Sequence, residues 1–214
     1  MYQPPHHREG RLEVQHALIR AHPFGTLTTL GSTGLIANAI PFILEEAPPF
    51  GLLKGHVARA NTQWSDFDPA VDALVVFQGV ETYITPSWYE TKRQTGKVVP
   101  TWNYAMVHAW GPMRVTQDRA WLAAQIAELT RLQEASRAEP WAVADAPERF
   151  IGSQLKGIVG IEIPISRIEG KWKVSQNRPE ADREGVVAGL RAAGGDERIA
   201  MAELVAAGGA KPPD

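Results

Sequence analysis

Short apolar runs broken by glycine and proline fill most of the first 116 residues, and this order constrains the fold more than any other feature. Phe24 to Leu30 reads as a strand and Gly31-Ser32-Thr33-Gly34 as a turn. Leu35 to Leu44 reads as the returning strand of a hairpin. Further strands are expected over Leu52 to Ala58, Ala73 to Thr85 and Trp102 to Thr116. Leu74-Val75-Val76-Phe77 is dense enough to be buried on both faces. Helical spacing appears before these runs, at residues 11–21, and then mainly after them. Asp118 to Ala138 carries Leu122, Ile126, Leu129 and Leu132 at intervals of three and four. Pro147 to Lys156 reads as a short helix. Ile158 to Ile168 alternates like a strand, with Pro164 marking an edge or a bulge. Ala181 to Ala193 and Asp196 to Ala207 read as two last helices, closed by Gly194-Gly195 and Gly208-Gly209, before a loose tail over Lys211 to Asp214. Strands first and helices afterwards specify an α+β fold, mainly antiparallel β: a barrel or rolled sheet with peripheral helices. The expected division is one domain over 1–195, with a terminal helix and tail over 196–214.

Composition matters here for what it excludes. The chain has no cysteine, so disulfides, thiol catalysis and Cys-ligated metal are out, and a cytoplasmic location is expected. The start, MYQPPHHREG, has no apolar core of a signal peptide. Runs such as LIANAIPFIL are too short to span a bilayer, so no membrane partner is expected. The net charge of −2 gives no whole-chain footprint for nucleic acid. No dinucleotide or triphosphate-binding glycine loop and no G-x-S-x-G elbow occurs. Ser153-Gln-Leu-Lys156 matches S-x-x-K without its partner elements. The six histidines show no metal-binding spacing.

Three stretches carry unusual chemistry. LLKGHVARANTQW, from Leu52 to Trp64, brings Lys54, His56, Arg59, Asn61 and Gln63 together with glycine and alanine between them. Arg59 offers a fork suited to phosphate oxygens, and the small residues let backbone N–H groups approach the same anion. A strand end with a solvated polar loop is the plainer alternative. YITPSWYETKRQTGKVVPTWNY, residues 83–104, mixes Tyr83, Trp88, Tyr89, Trp102 and Tyr104 with Lys92, Arg93 and Lys97. Such a surface suits stacking of a planar ring, or forms a small core beneath a loop. WKVSQNR, residues 172–178, gathers donors ahead of a helix.

Together these stretches resemble a known family. G-H-V-A-R-A-N-T-Q-W at 55–64, Y-I-T-P-S-W-Y at 83–89 and T-G-K-V-V-P-T-W-N-Y at 95–104 with V-H at 107–108 carry the likeness. K-V-S-Q-N-R at 173–178 and D-R-E-G-V at 182–186 complete it. They resemble the PaiB-type FMN-binding negative transcriptional regulators. The likeness runs from Met1 to about Leu190, and the helix after Gly195 adds nothing to it. Thr62 departs from the proline of the family's A-N-P-Q-W. The resemblance implies an FMN-binding split β-barrel, a homodimer with flavin in a groove between subunits, and FMN as cofactor. It implies that His56, Ala58, Arg59 and Asn61 face the phosphate and ribityl chain. It places Trp102, Asn103 and Tyr104 nearer the ring, with Lys173, Gln176, Asn177 and Arg178 closing the site. DNA as a partner rests on the resemblance alone. A flavin-dependent oxidoreductase and a haem-binding or haem-degrading barrel are the alternative activities, and His108 and Tyr104 are the candidate acid–base groups of an enzyme.

Overall fold

The computed structural model describes residues 1–208, so the tail over 211–214 and Gly209 lie outside the described residues. Among the described residues ten strands and six α-helices follow one another. β1 (Arg8–Glu9) precedes α1 (Leu12–Ala21), and β2 (Phe24–Gly31) and β3 (Gly34–Pro41) form the hairpin. β4 (Ile43–Glu45), β5 (Leu52–Ala58), β6 (Ala73–Ile84), α2 (Glu90–Thr95), β7 (Thr101–Gly111) and β8 (Arg114–Thr116) come next. α3 (Arg119–Glu134), α4 (Glu148–Lys156), β9 (Ile158–Pro164), β10 (Arg167–Lys173), α5 (Glu180–Ala193) and α6 (Asp196–Ala206) complete the chain. One sheet has the order β1-β10-β7-β6-β2-β3 and the other β4-β5-β9-β8. Every pairing whose register is resolved is antiparallel. The strand-then-helix reading therefore gave the right class.

Proline and polar breaks subdivide the expected strands. The run from Leu35 ends as β3 at Pro41, and β4 then enters the other sheet. The run from Trp102 divides at Pro112 into β7 and β8. Pro164 marks neither an edge nor a bulge: it is the last residue of β9, which is paired on both sides, by β5 and β8. A ring at a strand terminus removes no interior ladder bond. β10 was hidden because its Arg-Ile-Glu-Gly-Lys-Trp-Lys sequence looks too charged for a strand with neighbours on both sides.

The chain divides into two compact units. One contains residues 1–22, 77–108 and 169–208 among those described; the other contains 23–76 and 109–168. In the first, Ile19, Phe77, Ile84, Val107, Val174, Val186, Leu190 and Met201 are fully buried. α1 comes close to this unit's strands because glycine leaves room: a Cβ on Gly79 would press on Leu18 at 3.1 Å, and one on Gly170 would meet Gln15 at 2.9 Å. In the second unit Leu27, Leu53, Val75, Leu122, Val159, Ile161 and Ile163 form the core. α3 lies on β9 there, with the Trp121 indole over Gly160 and its N–H donated to Glu162 at 2.8 Å. Among the described residues no helix is long and apolar enough to cross a membrane.

Candidate functional site

The 52–64 stretch lies wholly in the second unit, and its polar groups are largely engaged there. Lys54 forms an ion pair with Glu45. His56 Nδ1 lies 2.7 Å from Gln125 Oε1 on α3. Arg59 donates through Nε to the Lys156 carbonyl at 2.8 Å, through Nη2 to that of Ile158 at 3.2 Å and through Nη1 to Gln117 Oε1 at 2.7 Å. Its backbone N–H meets the Gly157 carbonyl at 2.7 Å. The guanidinium thus ties the end of β5 to the carbonyl-rich end of α4. Ala58 is exposed beside it. The Asn61 carboxamide caps a short turn by accepting the Gln63 N–H at 3.0 Å. Gln63 is fully buried, donating to Leu27, Thr29 and Ile36 and accepting from Asn38.

The other two stretches meet in the first unit. Along β7, Trp102 and Tyr104 share the outer face while Asn103 is buried on the opposite one, as strand alternation requires. Asn103 Nδ2 donates to Ser175 Oγ at 2.9 Å. That bond anchors a turn in which Ser175 takes a left-handed backbone, φ 64°, costing on the order of 1–3 kcal/mol for a non-glycine residue. Gln176 braces the same turn, accepting from Val174 N at 2.8 Å and donating to the Trp172 carbonyl at 2.5 Å. Lys173 Nζ donates to the Trp102 carbonyl at 2.6 Å and to Thr101 Oγ1. Asn177 is exposed. The Arg178 guanidinium sits 4.7 Å from the Tyr89 ring centroid.

Two further residues belong to this cluster. Lys171 shares the face of Lys173 on β10 and is only 8% exposed, with its ammonium 5.4 Å from the rings of both Tyr2 and Tyr104. His7 is buried with Nδ1 unbonded. The K-x-K spacing on a strand was the signal for Lys171; nothing in the sequence marked His7. Among the described residues, Lys171, Lys173 and Arg178 make no ion pair. Burial holds the Lys173 ammonium below its ordinary range, and the charges of Lys171 and Arg178 add to that. His7 is pushed down by burial, then by His6, Lys173 and Lys171, against a hydrogen bond with Gln176. Three cations, mutually repelling and without a carboxylate partner, form a site that an anion would relieve.

The aromatic stretch proves mixed. Tyr83 and Trp102 are 46% and 53% exposed and meet edge to face, with centroids 6.0 Å apart. Tyr89 is core, and burial raises its hydroxyl pKa, with Asp182 contributing and Arg178 opposing. The Trp88 indole rests on α5, where a Cβ on Gly189 would come within 2.4 Å of its ring atoms and one on Gly185 within 2.0 Å of its carbonyl oxygen. Asp182, at 1% exposure, fixes α2 by accepting from Thr91 N at 2.8 Å and Thr91 Oγ1 at 3.0 Å.

Residues 1–167 match the family described as "Putative FMN-binding domain". The chain belongs to this family. FMN is the cofactor the family assigns to it. A protein of Emericella nidulans without an assigned function is 37% identical over 96% of each chain. The protease synthase and sporulation protein PAI 2 of Bacillus subtilis is 32% identical, also over 96% of each. The PaiB-type resemblance thus holds at the level of the whole chain. Among solved structures, the flavocytochrome Anf3 of Azotobacter vinelandii aligns with a TM-score of 0.57 at 11% identity, over 78% of this chain and 69% of that one. The FAD and haem binding protein of Mycobacterium smegmatis aligns at 0.54 and 14%, over 78% and 73%. These likenesses establish the flavin-binding split-barrel fold. The Lys171–Arg178 cluster lies beyond the residues matched by the family.

Proposed function

We propose that this flavoprotein holds the phosphate of FMN on Lys171, Lys173 and Arg178 and stacks the flavin ring on the outer face of β7, at Trp102 and Tyr104. The observation that carries the reading is the absence of any ion pair to those three cations among the described residues. A phosphate supplies the missing charge through charge-assisted hydrogen bonds. Asn103, Gln176 and Asn177 shape the turn and offer amide donors beside it. His56, Ala58, Arg59 and Asn61 are proposed as a separate set of flavin contacts within the second unit. With the Arg59 guanidinium so engaged, its segment acts mainly through backbone groups. When bound, isoalloxazine supplies one- and two-electron redox chemistry, while the chain supplies position and electrostatics.

An absorbance spectrum of the purified protein before and after adding FMN tests cofactor binding, and pH tests the phosphate assignment. FMN affinity is expected to fall as pH rises through the lowered pKa of Lys173, beginning below the ordinary lysine range, because a neutral amine no longer pairs with phosphate. Without flavin the sign is opposite. The folded state binds fewer protons than the unfolded one between the two pKa values, so stability rises with pH in that window. A flavin affinity that stays flat as pH rises through the ordinary lysine range would count against Lys173.

The protein is proposed to act as a cytoplasmic homodimer. Light scattering is expected to give twice the 23.4 kDa chain mass; a monomer that still binds FMN fully would contradict a shared site. Regulation is the role that the PaiB-type resemblance suggests. Direct DNA contact is the weaker form of that role: Arg93 is paired with Glu90, and Arg183 Nε is buried. A second reading is a flavin-dependent oxidoreductase. NAD(P)H turnover by the flavin-loaded protein tests it.

A further inference from the structure

A cavity beside Trp102 has a chemistry opposite to the phosphate cradle. Tyr83, Trp88 and Trp102 supply its aromatic walls, and three carboxylates, Glu81, Asp196 and Glu197, outnumber the one cation of the lining, Arg198. The rings are held in place. Trp88 lies in the seat left by Gly185 and Gly189, and Trp102 stands edge to face with Tyr83. The volume, about 710 Å³, falls within the range of pockets that enclose small organic ligands, roughly 300–1,000 Å³.

The carboxylates keep their charge available. Glu81 accepts only from the neutral Gln78 amide, at 2.6 Å. Asp196 and Glu197 make no ion pair among the described residues. They stand in the first turn of α6. The lining's one cation, Arg198, donates through Nη1 to the Gly194 carbonyl at 3.1 Å, which leaves the carboxylates in excess. An anionic ligand meets repulsion here. A cation meets ring faces and carboxylates together, the combination that recognises organic ammonium groups.

We propose that this pocket binds an organic cation: a planar or aliphatic body carrying an ammonium group, seated against Trp88 and Trp102 with its charge toward Asp196 and Glu197. The site adjoins the ring position proposed above through Trp102, yet it needs no flavin. α6 supplies two of its carboxylates and lies outside the residues matched by the family model.

Three indoles that differ only in the side-chain end group test the proposal by isothermal titration of both the FMN-loaded and the flavin-free protein. Tryptamine is expected to bind at least tenfold tighter than tryptophol, and indole-3-acetate weakest. The double variant Asp196→Asn/Glu197→Gln is expected to remove the preference for tryptamine, with its FMN titration unchanged. Equal binding of tryptamine and tryptophol, or a preference that survives the double variant, overturns the assignment. If FMN fails to bind while the ammonium preference persists, the flavin reading falls and this one stands. Because the ligand series is run on the unaltered protein, the result does not depend on the variant folding.

Discussion

Replacing Lys171 and Lys173 together by methionine is expected to weaken FMN by two orders of magnitude or more while leaving riboflavin nearly unchanged. Each charge-assisted hydrogen bond to phosphate contributes about 1.5–3 kcal/mol, so two contribute roughly 3–6 kcal/mol, and every 1.4 kcal/mol is a factor of ten in affinity. The two lysines are neighbours on one strand face, so their effects will couple rather than add, and the single variants should each lose less than half of the total on a logarithmic scale. Methionine keeps the aliphatic stem that packs beneath the ammonium. Folding should not suffer much, because Lys171 already depresses the Lys173 ammonium and removing both charges relieves that repulsion. Fluorescence titration with each flavin, beside a thermal melt, separates the two effects. A parallel loss of both flavins would mean that the lysines only support the turn at Ser175.

The second large effect concerns α5. Gly185→Ala puts a methyl group onto the Trp88 carbonyl oxygen, which is backbone and cannot rotate away. Overpacking of this kind costs typically about 1–3 kcal/mol, occasionally more. Here the helix itself must shift. The same helix carries Asp182, whose buried carboxylate holds α2, so the displacement should also disturb the Thr91 bonds. A denaturant melt is expected to show a clear drop in midpoint with little change in slope. Ala188→Gly, nearby on α5 but outside the Trp88 contact, should cost only the helix-propensity difference, about 1 kcal/mol. Equal losses at the two positions would show that the glycine seat is not needed.

The sequence disclosed the class of fold more readily than the site. Strand runs such as Leu52 to Ala58 were legible because apolar alternation is a local property, and that strand has the expected ends. β10 was not legible. Its two lysines sit on a half-buried face, and only the unit's other strands make such residues tolerable there. Gln63 looked like a ligand donor because polarity near glycine is ambiguous in one dimension; three buried oxygens from β2 and β3 settle its role as structural. Arg59 shows the same limit, since the carbonyls it meets lie about a hundred residues away in the chain. Lys173, Gln176 and Arg178 were recognisable as a donor group, whereas Lys171 and His7 joined it only through tertiary packing. The aromatic stretch hid a split between core and surface: Tyr89 and Tyr83 are six residues apart, one buried and one exposed.

The most direct test of the central claim is a paired titration of the unaltered protein with FMN and with riboflavin, two ligands that differ by the phosphate alone. A cradle of three unpaired cations predicts that FMN binds at least a hundredfold tighter and that the margin shrinks as salt is added. Equal affinity for the two, unchanged by salt, would contradict the assignment of Lys171, Lys173 and Arg178 to the flavin phosphate.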